Sequence, residues 1–284
     1  MSAQLGRQHK TVAHVTGQVV IWLRRTLPGR AIQLVGDGAY AVIALGAQCQ
    51  RQQVTLLAPL RLDARLFEPP LRREGKHRGR PPVVGVRLPN LAQVAVQPTT
   101  RWHRSLVPWY GGSHKVVDWT TGTALWYTTG TPPLPIRWVL VRDPQGERPL
   151  RAFFSTAPAQ TAPSSIADFV NRWPLEVTFE EARTHLGLET QRQWNDLAIE
   201  RTTPALLGLF SLIVLLAQAR HPTGGLPLAQ AAWYPQTHAT FHDVLALVRR
   251  RLWQQYLFQT DAATPDLRFI GSEQVETLLS AVCY

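Results

Sequence analysis

A chain of 284 residues with 45% apolar residues is long enough for one large domain or two modest ones, which excludes a disordered tail or a disulfide-stapled miniprotein. The formal net charge is +11, and only Lys10, Lys76 and Lys115 are lysines, the other basic residues being arginine. A guanidinium surplus of this size disfavours a basic partner surface and points to a polyanion such as nucleic acid.

Residues 11–26 carry Val12, Val15, Val19, Ile21, Trp22 and Leu23 and close on Arg24-Arg25, the pattern of a helix stopped by Leu27-Pro28-Gly29. A short apolar strand follows at 31–35, then Gly36-Asp37-Gly38-Ala39-Tyr40, a second helix to about residue 50 and a strand at 53–58. Helix, strand, helix, strand is an α/β arrangement with neighbouring parallel strands. Asp37 then sits at a carboxyl strand end between two glycines that let a ligand approach the backbone. Capping of the next helix is an equally good use of the same residue. Asp63 has an arginine two residues away on each side and reads as a local ion pair.

Residues 71–82, LRREGKHRGRPP, mix charge with glycine and proline and read as a solvated loop. Its Arg72, Arg73, Lys76, Arg78 and Arg80 suit the phosphates of a DNA backbone. From 83 to 156 the pattern turns to strands, expected at 91–96, 107–110, 115–119, 123–128, 137–142 and 151–155. Five tryptophans lie there, at 102, 109, 119, 126 and 138; core or cross-strand packing explains most, and stacking on an unpaired base is the alternative use. A helix starts at Pro163-Ser164-Ser165, and Pro174 is expected to kink or restart it. A helix at about 195–219 is expected to bury its apolar run, and another follows at about 240–258.

Two cysteines, Cys49 and Cys283, make no disulfide framework or metal site, and the nine histidines are scattered. Residues 1–10 are polar and basic, unlike a signal peptide. The apolar run 205–217 is shorter than the roughly 18–20 residues that span a bilayer. The expectation is a soluble, cytoplasmic chain, nucleoid-associated, with no membrane partner.

The stretch IADFVNRWPLEVTFEEARTHLGLETQ places Phe169, Arg172, Glu176 and Arg183 at gaps of two, three and six residues. On one helix these four share a face, an aromatic and a carboxylate flanked by two guanidiniums. This spacing resembles the Tyr-Arg-Glu-Lys signature of the DDE insertion-sequence transposases. Arg183 stands for the family's lysine and keeps its charge, whereas Phe169 stands for tyrosine and loses the hydroxyl. RWPLE, HLGLETQRQW and VGDGAYA are similar to family text as well.

The resemblance implies an α/β fold: a partial RNase H-like catalytic domain interrupted by a β-rich insertion, with a helical C-terminal region. It divides the chain into a first part of the core (1–62), a basic loop and β-rich insertion (63–158), helices of the core carrying Glu176 (159–220) and a helical tail (221–284). It implies metal-dependent cleavage and transfer of DNA strands in transposition. Asp37 and Glu176 would be the catalytic carboxylates and ligands of two Mg²⁺ ions, with Mn²⁺ as substitute, and Arg172 and Arg183 would hold phosphates. The partner implied is double-stranded DNA, both element ends and target, and dimers are common in the family, which makes a homodimer the assembly it points to. The family also uses an aspartate upstream of the Asp37 equivalent, and residues 1–36 contain no Asp or Glu. The resemblance is thus to a transposase without its N-terminal part. The alternative is a non-catalytic DNA-binding remnant that regulates a full-length transposase.

Overall fold

The computed structural model describes residues 10–71, 81–190, 192–221 and 239–258, together with 225–226, 236, 274, 277–279 and 281. The basic positions Arg72, Arg73, Lys76, Arg78 and Arg80, and Cys283, lie outside the described residues. The chain forms two compact units that divide after Pro174.

The first unit is a mixed α/β structure on one seven-stranded sheet. Helix α1 (Val12–Thr26) is capped by Thr11, and Arg24 and Arg25 sit at its carboxyl end, where cations suit the helix dipole. Strand β1 (Ile32–Val35), helix α2 (Ile43–Arg51) and strand β2 (Val54–Leu60) follow, and β1 and β2 pair in parallel as expected. The Arg24 guanidinium ties these pieces together by donating to the carbonyls of Arg30 (2.8 Å), Gln52 (2.8 Å) and Gln53 (2.6 Å). Next come β3 (Leu66–Phe67), helix α3 (Leu91–Val96), β4 (His103–Pro108), β5 (His114–Trp126), β6 (Leu134–Arg142), β7 (Arg151–Ser155) and helix α4 (Ala162–Val170).

The sheet runs β1-β2-β7-β6-β5-β3, antiparallel from β2 onward, and β4 lies on the outer edge of β5 next to the short β3. The β-rich stretch, expected as an insertion between parts of a core, therefore continues the sheet that β1 and β2 begin. Alternation along the strands explains the layers. Val54, Leu56, Ala58 and Leu60 of β2 join Phe154 of β7 in a core under α1, α2 and α3, whereas Leu57 and Phe153 face α4.

Three of the expected strands are different in the structure, 91–96 and the pair 115–119 and 123–128. Residues 91–96 form α3, because Asn90 and Gln93 cap each other's backbone N–H groups in a reciprocal box that outweighs β-propensity. Residues 114–126 are one long strand, β5, and not two with a turn. Gly122 lies beneath Trp138, where an added Cβ would come within 2.7 Å of the indole, so this glycine serves a close approach.

The second unit contains α5 (Pro174–Leu186) from its second residue on, α6 (Asp196–Arg220) and α7 (Phe241–Phe258). Ile213, Phe241 and Leu245 form its buried cluster with Phe210, Val244 and Leu186 against them. The expectation that the apolar run 205–217 is buried is not met. Only Ile213 and Ala217 of α6 are buried, while Leu209, Leu212, Leu215 and Leu216 are exposed. The helix is apolar all round, so a neighbour on one side covers only a stripe of it. Among the described residues α6 is the one helix long and apolar enough to cross a membrane by length and composition, with a mean hydropathy of 1.8.

Candidate functional site

Asp37 follows β1 closely, one residue beyond Gly36. Its Oδ1 accepts from the Ala39 N–H at 2.8 Å and caps the short 3₁₀ turn Gly38–Tyr40, so the capping role is realised. The side chain is exposed, and among the described residues Oδ2 takes no hydrogen bond or ion pair. Gly36 is required beside it, because an added Cβ would meet the Tyr40 ring at 2.7 Å. The carboxylate thus stands on a fixed backbone at the carboxyl end of a parallel strand with one oxygen available.

Helix α4 crosses the face of that strand. Asp168 accepts from Gln33 Nε2 of β1 (3.1 Å) and from Gln160 Nε2 (2.7 Å). One residue on, Phe169 is buried against Leu57 and Phe153, with ring centroids 4.5 Å apart for the two phenylalanines, and Val35 packs on the same cluster. Phe169 therefore sits beneath the strand position two residues before Asp37. The half-buried Arg172 lies over the Phe169 ring, 5.6 Å from guanidinium to centroid.

The four signature residues do not share one helix. Helix α4 ends at Val170, residues 171–173 turn, and α5 restarts at Pro174, which has no N–H to continue the ladder. Phe169 and Arg172 belong to the first unit, Glu176 and Arg183 to the second. Glu176 is exposed in the first turn of α5, where a carboxylate suits the positive end of the helix. Arg183, expected to hold phosphate, is gripped through Nε and Nη2 by Glu189 at 2.6 and 3.1 Å. That hydrogen-bonded pair holds the Glu189 carboxyl below its ordinary range.

The local ion pair expected at Asp63 forms with one of its two flanking arginines, Arg61, at 2.9 and 2.8 Å. Among the described residues no group of three His, Cys, Asp or Glu side chains is placed to hold a metal. Asp37 alone offers too few oxygens for a tight Mg²⁺ site, so the described residues do not by themselves fit the two-ion centre. Cys49 is no substitute, since burial pushes its thiol up to about 11.

Sequence reasoning missed a second feature, on the face of the sheet that α4 covers. The carboxyl end of β2, Leu60, lies beside Ala152 near the start of β7 and through it is level with Leu140 near the end of β6, whereas Val35 of β1 is level with Ser155 at the end of β7. Arg151 opens β7 two strands over from β1 and four residues along from Ser155, the residue level with Val35. Beyond it, Trp109, Tyr110, Lys115 and Arg148 surround a cavity whose floor includes Val117, Val141 and Phe153. Cationic side chains interleaved with aromatic rings were visible in the text of the sequence, but only the pairing of β4, β5, β6 and β7 gathers them.

No protein-family model matches this chain, and no curated protein does.

Proposed function

We propose that this chain is part of a DDE-type DNA transposase with an RNase H-like core, binding double-stranded DNA at element ends and target. The observation that carries the reading is the meeting of two motifs distant in sequence. Phe169 of the signature packs on the cluster that includes Val35, two residues before Asp37. Asp37 and Glu176 are the carboxylates assigned to cleavage, Arg172 and Arg183 the phosphate holders, and Arg183 must exchange Glu189 for phosphate to act. Mg²⁺ or Mn²⁺ enters this reading through the resemblance alone, as do the homodimer and the location at the nucleoid in the cytoplasm.

A second reading, a DNA-binding remnant without catalysis, has its own support: no acid cluster lies near Asp37 among the described residues. Both readings predict duplex binding that weakens steeply with salt, as arginine–phosphate contacts release counterions. Replacing Arg72, Arg73, Arg78 and Arg80 together by alanine should flatten the salt slope by about four, close to one for each phosphate no longer neutralised. Absence of duplex binding at low salt overturns both. Nicking of a labelled element end with Mg²⁺ or Mn²⁺ separates them. Robust cleavage abolished in Asp37→Ala supports the transposase, and parent activity no greater than that variant's supports the remnant.

A further inference from the structure

An open groove of about 640 Å³ lies between α1 and α2 in the first unit. On the α1 side it is lined at positions 10, 13, 14, 17, 18 and 21, the spacing of one helix face over about three turns, or roughly 17 Å. Gly17 and Leu45 are buried at its floor, and the half-buried Ile21 and exposed Val42 add apolar surface above them. A glycine inside a helix weakens it relative to alanine. Packing does not ask for this one, because an added Cβ at Gly17 would meet Gln48 Cγ at an ordinary 3.7 Å. What the missing side chain does is keep the floor of the groove low.

The rim is cationic and has no acid of its own. Lys10 stands on the α1 side and Arg51 on the α2 side, both exposed. Their hydrogen-bond partners are neutral: Lys10 Nζ donates to Gln18 Oε1 at 3.4 Å, and Arg51 Nη2 donates to Gln48 Oε1. Neither is in an ion pair among the described residues. Asp37 is the sole acid in residues 1–60, so neither helix neutralises the rim from within. A carboxylate that displaces either glutamine gains a charge-assisted hydrogen bond.

These features select among occupants. The phosphates of a nucleic acid satisfy the two cations but leave Ile21, Val42 and the floor in water. A second copy of the chain sets cation against cation. A small molecule would not be enclosed, since the rim is exposed on both sides. A third helix laid between two others, apolar below and acidic at its flanks, satisfies floor and rim together.

We infer that this groove docks an amphipathic helix of a partner protein, with its apolar face on Ile21, Val42 and Leu45 and carboxylates on its flanks for Lys10 and Arg51. It is a protein-binding surface beyond the duplex binding proposed above and does not depend on it.

The probe is a labelled helical peptide of 15 residues, the length of α1, with leucines along one face and glutamates on both flanks, titrated with the full chain by fluorescence anisotropy. One control peptide carries lysine for each glutamate, and the other carries glutamine for each leucine. The acidic amphipathic peptide should bind at least about tenfold more tightly than either control. Lys10→Gln with Arg51→Gln should weaken it about tenfold. Val42 is the N-cap of α2 and makes no side-chain cap, so Val42→Asp supplies one and keeps the fold while setting a carboxylate in the groove. That variant should weaken the peptide about tenfold or more. Equal binding of the three peptides, no binding of the acidic one, or its unchanged affinity for Val42→Asp overturns the inference. A labelled DNA duplex that loses affinity for Val42→Asp by the same factor as the peptide overturns it in favour of nucleic acid. A parent dimer that Val42→Asp dissolves in analytical ultracentrifugation overturns it in favour of a second copy.

Discussion

The two units use apolar residues in opposite ways. In the first, Leu56, Leu57, Ile136, Leu140 and Phe154 are wholly withdrawn from water between a sheet and helices on both of its faces. In the second, a longer apolar run on α6 leaves Leu212 52% and Leu215 60% exposed. Hydrophobicity of a segment does not decide its burial; the number of surfaces available to cover it does. A strand has two faces and each can be covered by one layer, whereas a helix that is apolar all round needs neighbours on every side. The signature is split across this divide, with Phe169 fixed in the layered core and Glu176 on an exposed helix turn.

The largest effect expected is at the centre of the first unit. Phe154→Ala should cost about 3–5 kcal/mol in chemical denaturation, because the cavity left under the sheet cannot collapse. A loss below about 1 kcal/mol would remove the contrast between the units. Gly122→Ala should cost about 1–3 kcal/mol, since the new methyl must displace the Trp138 ring.

Asp118 sharpens the comparison inside the same sheet, on β5 between β4 and β6. It accepts from Arg104 Nε at 2.7 Å and Arg142 Nε at 3.3 Å, across the neighbouring strands on either side. Arg104 first, and then Arg142, hold its carboxyl below the ordinary range. Asp118→Asn should cost about 1–2 kcal/mol at neutral pH, discounted because both arginines reach solvent. The folded pKa is the lower one, so this stabilisation is complete above the unfolded value of about 4 and is lost as pH falls through the folded value. Denaturation of parent and variant from pH 7 to pH 2 should converge at the acid end. The smallest effect is expected in the second unit, where Leu215→Gln should change stability by no more than about 0.5 kcal/mol. A larger loss, independent of protein concentration, would show that α6 is covered after all.

Much of the sheet was legible because period-two alternation and β-branched residues mark β2, β6 and β7. The capping box of Asn90 and Gln93 was also written in the sequence, yet Leu91–Val96 reads as a strand because six residues are too few for periodicity to decide. Gly122 reads as a turn because a glycine that yields to a ring looks the same in sequence as one that bends the chain. At the site, Asp37 was legible from its strand and glycines. Pro174 allows either a kink or a restart, and the restart removes the shared face on which the strip of four depends. Trp109 looks like the other four tryptophans of its stretch in the sequence, since only the antiparallel pairing of distant segments sets its ring in the wall of the cavity beside α4.

The Arg24 clamp has a consequence for how the parallel pair is aligned. Arg30 lies two residues before β1 and Gln53 immediately before β2, and one guanidinium binds both carbonyls together with that of Gln52. Sliding either strand by one residue would turn its carbonyl away from the fork, so the side chain acts as a register key for strands whose short ladder, Ile32 to Val35 against Val54 to Leu57, offers little else to forbid slippage. Lysine carries the same charge but lacks the planar fork that holds three fixed acceptors at once. One side chain of α1, a helix outside the sheet, thus holds the strand that presents Asp37 in place beside β2.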